Sequence, residues 1–383
     1  MNLAIVLLAL ASFASAASLR VTDAMLPRLA SEFHVGLDHA SSVVTGFAVA
    51  YGLMQILFGP LGDRFGKLRV IGWASGAASI ATAWCLFAPG LEGLLVGRIL
   101  AGAFCAGIIP LALAWIGDVV PYQDRQPVIA RFLLGQISGL ALGAAVGGVA
   151  AEHAEFRWPF GVLAAWLAIC AAMIILAARH DPAPPPAPGT SFLRSIVEIL
   201  GIPWARVIVG TVFIEGMLVL GATAFIPSHL HLKRGTELSI AGLALVPYAI
   251  GGAIFAIFAA RFLRALGEVQ LARFGAILLM IGFILVAWSP HIAVAAFGCL
   301  ISGLGFYALH NTLQTNATQM APTRRGVGVA LFASFFFIGQ SVGVAIAGLL
   351  VERIGTTAVL AAAGVLLIPV GFVFAHLRAV RAA

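Results

Sequence analysis

Long apolar runs separated by short polar ones make up this chain; Val43–Phe58 and Val70–Ala88, for instance, flank the polar stretch Gly59–Val70. A helix that crosses a membrane needs ~20 mostly apolar residues. Apolar periodicity and turn signals predict twelve such spans, over 2–27, 41–60, 69–88, 91–119, 127–150, 158–179, 203–228, 239–261, 270–289, 291–320, 325–349 and 355–377. Asn2–Ala17 with Ala14-Ser15-Ala16 has the look of a secretion-signal core. No Lys or Arg precedes it, and its removal would leave an odd number of spans, so it is read as the first span.

Between the sixth and seventh spans, Pro182, Pro184, Pro185, Pro186 and Pro188 exclude a continuous helix. That segment is expected to be a semi-extended linker, with Ser191–Leu200 able to form a short amphipathic helix on the membrane surface. The expected division is a six-helix bundle at 1–180, a linker at 181–202 and a second six-helix bundle at 203–383. The halves echo each other. Asp23-Ala24-Met25-Leu26-Pro27 matches Thr223-Ala224-Phe225-Ile226-Pro227 at an offset of 200, and Gly135-Gln136-x-x-Gly139 matches Gly339-Gln340-x-x-Gly343 at 204. Pro121 before Arg125 is paralleled by Pro322 before Arg325. Parallel repeats of this kind are what two pseudo-symmetric bundles leave in a sequence.

Composition agrees: of 383 residues, 61% are hydrophobic and only 10% charged, with mean hydropathy +1.06. No soluble domain hides that much apolar surface. The net charge of +7 does not point to nucleic acid, because the cations fall in short loops rather than in one patch. Fifteen of the 22 Lys and Arg lie on the side of the Gly59–Val70 stretch and five on the other, with Arg20 and Arg98 inside spans. The positive-inside rule then places that stretch and both ends in the cytoplasm, and the chain in a bacterial inner membrane. Cys85, Cys105, Cys170 and Cys299 lie widely spaced in apolar runs, as small packing residues rather than disulfide or metal partners.

The stretch Gly59-Pro60-Leu61-Gly62-Asp63-Arg64-Phe65-Gly66-Lys67-Leu68-Arg69-Val70 is expected to be a tight turn between spans 2 and 3. Its charges are too costly for lipid, and its glycines leave one bare face for close packing. It resembles the G-x-L-x-D-R-x-G-(R/K) signature of the major facilitator superfamily. The resemblance implies twelve helices in two bundles, with substrate bound between them near the midplane. It further implies a gate made of Gly59, Gly62, Asp63, Arg64, Gly66, Lys67, Asp118 and Arg125. In that gate Asp63 faces the N-terminus of span 11 and Arg64 pairs with Asp118. Around Arg261–Glu268, where the second half should repeat this stretch, no Asp stands at the equivalent place. Arg98, Gly102, Pro110, Asp118, Pro121 and Arg125 resemble a second motif of the family, whose arginine is linked to proton coupling in exporters. Ala101 stands where that motif has glutamine. Gly139, Gly143, Gly147 and Gly148 resemble the glycine-rich motif of drug exporters, with Ala144 in place of its proline.

Ionisable groups inside spans are expensive and are candidates for function. Arg20 and Asp23 share one face of span 1, as a self-satisfied pair or as a protonatable carboxylate with its partner. Glu215 lies about three turns into span 7, ~16 Å deep, as a proton or substrate site or as a structural hydrogen-bonding group. Span 10 carries Tyr307, His310, Asn311, Gln314, Asn316 and Gln319, a polar stripe suited to lining a cavity or to gluing helices together. Gln55, Gln136 and Gln340 are further candidates, and Arg98 joins them.

The sequence shows no H-E-x-x-H, G-x-S-x-G, Walker A or Cys–His zinc pattern, so neither a membrane enzyme nor an ATP-driven pump is expected, nor a bound cofactor or metal. The expectation is a monomeric secondary transporter of alternating access, with a small-molecule substrate, the lipid bilayer as its setting and no nucleic-acid partner. The resemblance points to proton-coupled efflux of small organic molecules. A proton-coupled uptake symporter or facilitator for a small metabolite is the alternative, and a non-transporting membrane sensor the rival from another class. A sensor would be expected to lose Asp63, Arg64 or the buried carboxylates, which this chain keeps.

Overall fold

The computed structural model describes residues 3–153, 155–180, 192–321 and 325–382, and the regular elements among them are all helical. In the first half, α1 (Leu3–Arg20), a 3-10 turn (Asp23–Met25) and α2 (Leu26–Glu32) form span 1. A short α3 (Leu37–Ala40) leads into α4 (Ser42–Phe65), followed by α5 (Lys67–Phe87), then α6 (Leu91–Cys105) with α7 (Ile108–Val119) as span 4. Helices α8 (Tyr122–His153) and α9 (Trp158–Ala177) complete the half. A linker helix, α10 (Phe192–Gly201), precedes the second half; the proline run before it lies outside the described residues. That half comprises α11 (Pro203–Thr223), α12 (Ile226–Arg234), α13 (Leu238–Leu243), α14 (Val246–Ala287), α15 (Ile292–Ala317) and α16 (Arg325–Ala382).

Ten stretches among the described residues are long and apolar enough to cross a membrane. Two of these, Leu238–Ala287 and Gly326–Arg381, run 50 and 56 residues, more than twice the ~20 that one crossing needs. Each is broken inside by a glycine in the left-handed region, Gly267 at φ 66 and Gly355 at φ 80, where any other residue would be strained. Those two breaks account for the difference between ten stretches and the twelve spans expected.

The polar stretch after span 2 is not the loop expected. Helix α4 runs unbroken through Gly59, Gly62, Asp63 and Arg64 to Phe65, and the chain turns only at Gly66, with φ 92. Apolar length marks where lipid ends, not where the helix ends, so α4 continues past the lipid into its polar residues. Gly267 repeats this turn 201 positions later, so the second half keeps the hinge glycine without the charged sequence.

Glycines set the register inside each half. A Cβ on Gly139 would strike the carbonyl of Phe13, and one on Gly143 that of Ala17. In the second half Gly343 meets the Met217 carbonyl, so the Gly139 contact repeats at 204, and the contact of Gly135 with Ala9 repeats likewise as that of Gly339 with Phe213. Beyond them the repeat shifts to 200, at Pro27 and Pro227. The four extra residues fall where the 3-10 turn Asp23–Met25 stands, while the second half passes from α11 to α12 across Ala224 and Phe225 alone. Asp23 therefore sits in a turn its own repeat lacks.

The halves meet on the side away from Gly66. There the Leu37 amide donates to Glu352 Oε1 at 2.7 Å, the Leu238 amide to Glu152 Oε2 at 2.6 Å, and Ser341 Oγ to the Thr45 carbonyl at 3.2 Å. One apolar cluster there joins Val21, Met25 and Val43 of the first half to Phe225, Leu238 and Val344 of the second. Lower down α4, a Cβ on Gly52 would lie 3.0 Å from the Ser334 carbonyl of α16. At Gly59, two turns on along the same face, it would meet nothing within 4 Å. The molecule stands closed on the far side and parted toward the motif side.

Candidate functional site

Glu215 lies on α11 twelve positions past Pro203, ~18 Å along the helix, and is 0% exposed. Its Oε2 is 2.8 Å from His310 Nδ1 on α15, and its Oε1 has no partner among the described residues. Phe306, Phe332 and Phe336 surround the imidazole, with ring centroids 4.9, 5.2 and 4.7 Å away. Helical spacing explains the cage: Phe306 precedes His310 by one turn on α15, and Phe332 precedes Phe336 by one turn on α16. Gly216 completes it, because a Cβ there would collide with the Phe336 carbonyl and hold α16 away. An acid and a base are thus held together inside an apolar wall.

In the other half, Arg20 Nη1 lies 2.8 Å from Asp23 Oδ2, with both residues buried. Asp23 Oδ1 has no partner among the described residues. The pair forms across the end of α1 and the inserted turn, rather than along one continuous helix face.

Arg98 is a knot rather than a wall of the space between the halves. Its guanidinium donates to the Ser18 carbonyl at 2.7 Å, the Val43 carbonyl at 3.4 Å and Thr22 Oγ1 at 3.4 Å, and lies 4.2 Å from the Phe47 ring centre. It ties α6 to span 1 and to α4, with its donors committed to those helices.

Tyr248, on α14, has members of both pairs near it. Arg20 and Glu215 both lie close enough to act electrostatically on its phenol, as does Tyr307, and Arg20 acts on Tyr307 as well. Its hydroxyl is buried without a partner among the described residues. Gln340 is fully buried with both amide atoms unpartnered there, and Gln55 Oε1 is likewise orphaned. Each such group costs ~1–3 kcal/mol until something polar meets it. On α15, Asn311 and Gln314 are exposed toward the motif side, while Asn316 is held by Glu268 Oε2 and the Thr312 carbonyl, at 3.3 and 2.9 Å. Gln136, on α8, is half-buried.

The motif side differs from expectation in its pairing. Asp118, at the end of α7, takes Lys67 Nζ at 2.5 Å, not Arg64. Lys67 also lies 3.6 Å from Asp63. The turn at Gly66 starts α5 at Lys67 and aims that residue at α7, whereas Arg64, still on α4, lies 5.0 Å from the Phe65 ring centre. Gly62 packs on Leu111 of α7, inside its own half. Span 11, whose start Asp63 is expected to face, begins at Arg325, the first residue of α16; the side chain of Arg325 and residues 322–324 before it lie outside the described residues. The same holds for the side chain of Arg125, on α8.

Sequence reasoning missed several groups. Tyr248 and the three phenylalanines were not singled out, and neither were Glu152 and Glu352, which fall just past the ends of the expected spans 127–150 and 325–349. Glu268 follows the hinge Gly267 and holds Arg378 Nε at 2.9 Å beside a cavity of about 160 Å³ that Trp204 and Arg381 also line.

Residues 8–330 match the model of the Major Facilitator Superfamily. Among curated relatives, an uncharacterised MFS-type transporter, YceJ of Bacillus subtilis, is 25% identical over 86% of this chain and 84% of its own length. The multidrug efflux pump LfrA of Mycolicibacterium smegmatis is 23% identical over 84% of this chain and 75% of its own. Among solved structures, a point mutant of the nucleoside transporter NupG superposes with a TM-score of 0.81 over 97% of this chain and 98% of that one, at 12% identity. That last likeness is one of fold.

Proposed function

The chain belongs to the major facilitator superfamily, and from that premise we propose that this membrane transporter is a secondary active one, working by alternating access and exchanging protons for small organic molecules on their way out of the cell. Its place is a bacterial inner membrane, with both ends in the cytoplasm and the Gly59–Lys67 stretch at the cytoplasmic mouth.

The observation that carries this reading is the Glu215–His310 pair. A carboxylate and an imidazole in contact can share one proton through their hydrogen bond. With one proton between them the pair is neutral overall; with none it carries a buried negative charge. Net charge at that depth is expensive while the surroundings are dry and apolar. Water reaching the pair from one side relieves the cost and lets the proton leave on that side. Alternating access would then carry the proton from one face to the other, as coupled transport requires. Export, rather than import, is supported by relatives named as efflux pumps and multidrug resistance proteins.

Inverted vesicles or proteoliposomes given a panel of small organic solutes, with the pH gradient imposed in either direction, test this reading. It expects accumulation of at least one solute against its gradient when protons flow the other way. Solute movement indifferent to the pH gradient would remove the proton coupling.

A further inference from the structure

The far side is fastened twice, by the same device used in opposite directions. Glu152, near the end of α8, accepts the amide of Leu238, the first residue of α13, at 2.6 Å. Glu352, just before the Gly355 break in α16, accepts the amide of Leu37, the first residue of α3, at 2.7 Å. Each carboxylate belongs to one half and each amide to the other. The two acceptors stand 200 positions apart and the two donors 201, so the latch follows the internal repeat.

Helix starts are ordinarily capped by a neighbouring residue. Here the acceptors come from 86 and 315 positions away, and neither Glu237 nor Gly36, the residues in the capping positions, makes a side-chain cap. A local cap would serve either helix equally well while leaving the halves free. A carboxylate brought from the other half serves the helix only while the far side is shut. Opening that side leaves two amides and two carboxylates for water to take up, so the contacts discriminate between the two states of the cycle. A charged acceptor makes a stronger hydrogen bond to an amide than a neutral one, yet both glutamates are exposed enough for the contacts to break in each cycle.

We propose that Glu152 and Glu352 are positioning residues for transport, forming a reciprocal latch that holds the far side closed and sets the balance between far-closed and far-open states. The proposal rests on alternating access but not on proton coupling or on substrate, so the two accounts fail separately.

Distances between spin labels test it on the full chain in lipid nanodiscs. Ser31→Cys and His291→Cys place labels on exposed far-side positions of the two halves, and the four native cysteines are buried away from the reagent. The unaltered latch should give one dominant short distance. Removing one arm, by Glu152→Ala or Glu352→Ala, should raise the proportion of far-open molecules ~10-fold, and removing both ~100-fold, if the distant arms act independently. Glu→Gln at both sites keeps an acceptor without the charge and should fall between; it also serves if the double alanine variant does not fold. Labels at Leu61→Cys and Gln319→Cys on the motif side should move closer as the far-side labels separate. A far-side distribution unchanged by removal of both arms would overturn the latch. So would a lowered melting temperature with both distributions broadened and neither population shifted, which is what a purely structural role produces.

Discussion

Lys67 meets Asp118 across the first half's motif side, with Nζ 2.5 Å from Oδ2, while the Arg64 guanidinium lies over the Phe65 ring. The pairing follows from one backbone angle, φ 92 at Gly66, which ends α4 and starts α5 with Lys67 facing the end of α7. Because Asp118 is more than half exposed, the bridge contributes under ~1 kcal/mol to stability. Its consequence should appear in transport. Lys67→Ala and Asp118→Ala should each slow transport, and the double variant should be no slower than the worse single one. Arg64→Ala should be milder than either. Initial rates from the four variants make the measurement, and additive losses would break the pairing.

Arg98 should behave as a structural residue. Removing its guanidinium takes its donor from the Ser18 carbonyl, in the last turn of α1, and empties a buried site against Val43 and Phe47. Arg98→Ala should therefore destabilise the protein by ~3 kcal/mol or more, and Arg98→Lys should not restore it, since three donors on one nitrogen cannot span the acceptors that Nε, Nη1 and Nη2 reach separately. Thermal melting in detergent reads both. A variant that melts like the parent yet loses proton coupling would return Arg98 to the chemistry.

The glycine register predicts matched damage in the two halves. Gly139→Val forces α8 off the Phe13 backbone, and Gly343→Val, its counterpart 204 positions on, forces α16 off Met217. Overpacking of this kind costs ~1–3 kcal/mol. The two variants should lose similar melting temperature, and a large loss from only one of them would contradict the repeat in packing.

Phe336 walls the acid–base pair and touches Phe337, which reaches Tyr51 of the other half at a centroid distance of 4.5 Å. Phe336→Ala should let water to Glu215 in both states. The expected result is a faster proton leak through liposomes without substrate, with the stability cost of a core Phe deletion, ~3–5 kcal/mol, moderated by the open side. An unaltered leak in a folded variant would mean that the ring does not seal the pair.

How much of this was readable beforehand divides along physical lines. Spans were legible because lipid demands length and apolarity, both local in sequence. The repeat was legible in its glycines, since only a residue without Cβ lets two helices approach so closely. Glu215 stood out because an acid deep in an apolar run has few other reasons to be there. Its wall did not, because Phe306, Phe332 and Phe336 look like any core phenylalanine until α15 and α16 are brought together. Arg98 resembled a motif arginine linked to proton coupling, and finds backbone carbonyls, which every sequence supplies and none advertises. The polar stretch after span 2 looked like a loop because charge was taken as the end of the helix. Glu152 and Glu352 carried no signal beyond ending spans at matching positions.

The most direct test of the account replaces Glu215 with Gln, which keeps the shape and the contact to His310 but cannot carry the proton. Transport is measured in proteoliposomes twice, once driven by an imposed pH gradient and once as counterflow exchange with no gradient. The account predicts that Glu215→Gln loses gradient-driven transport while counterflow continues near the parent rate. Gradient-driven transport equal to the parent's would contradict it, and would move the proton to Asp23.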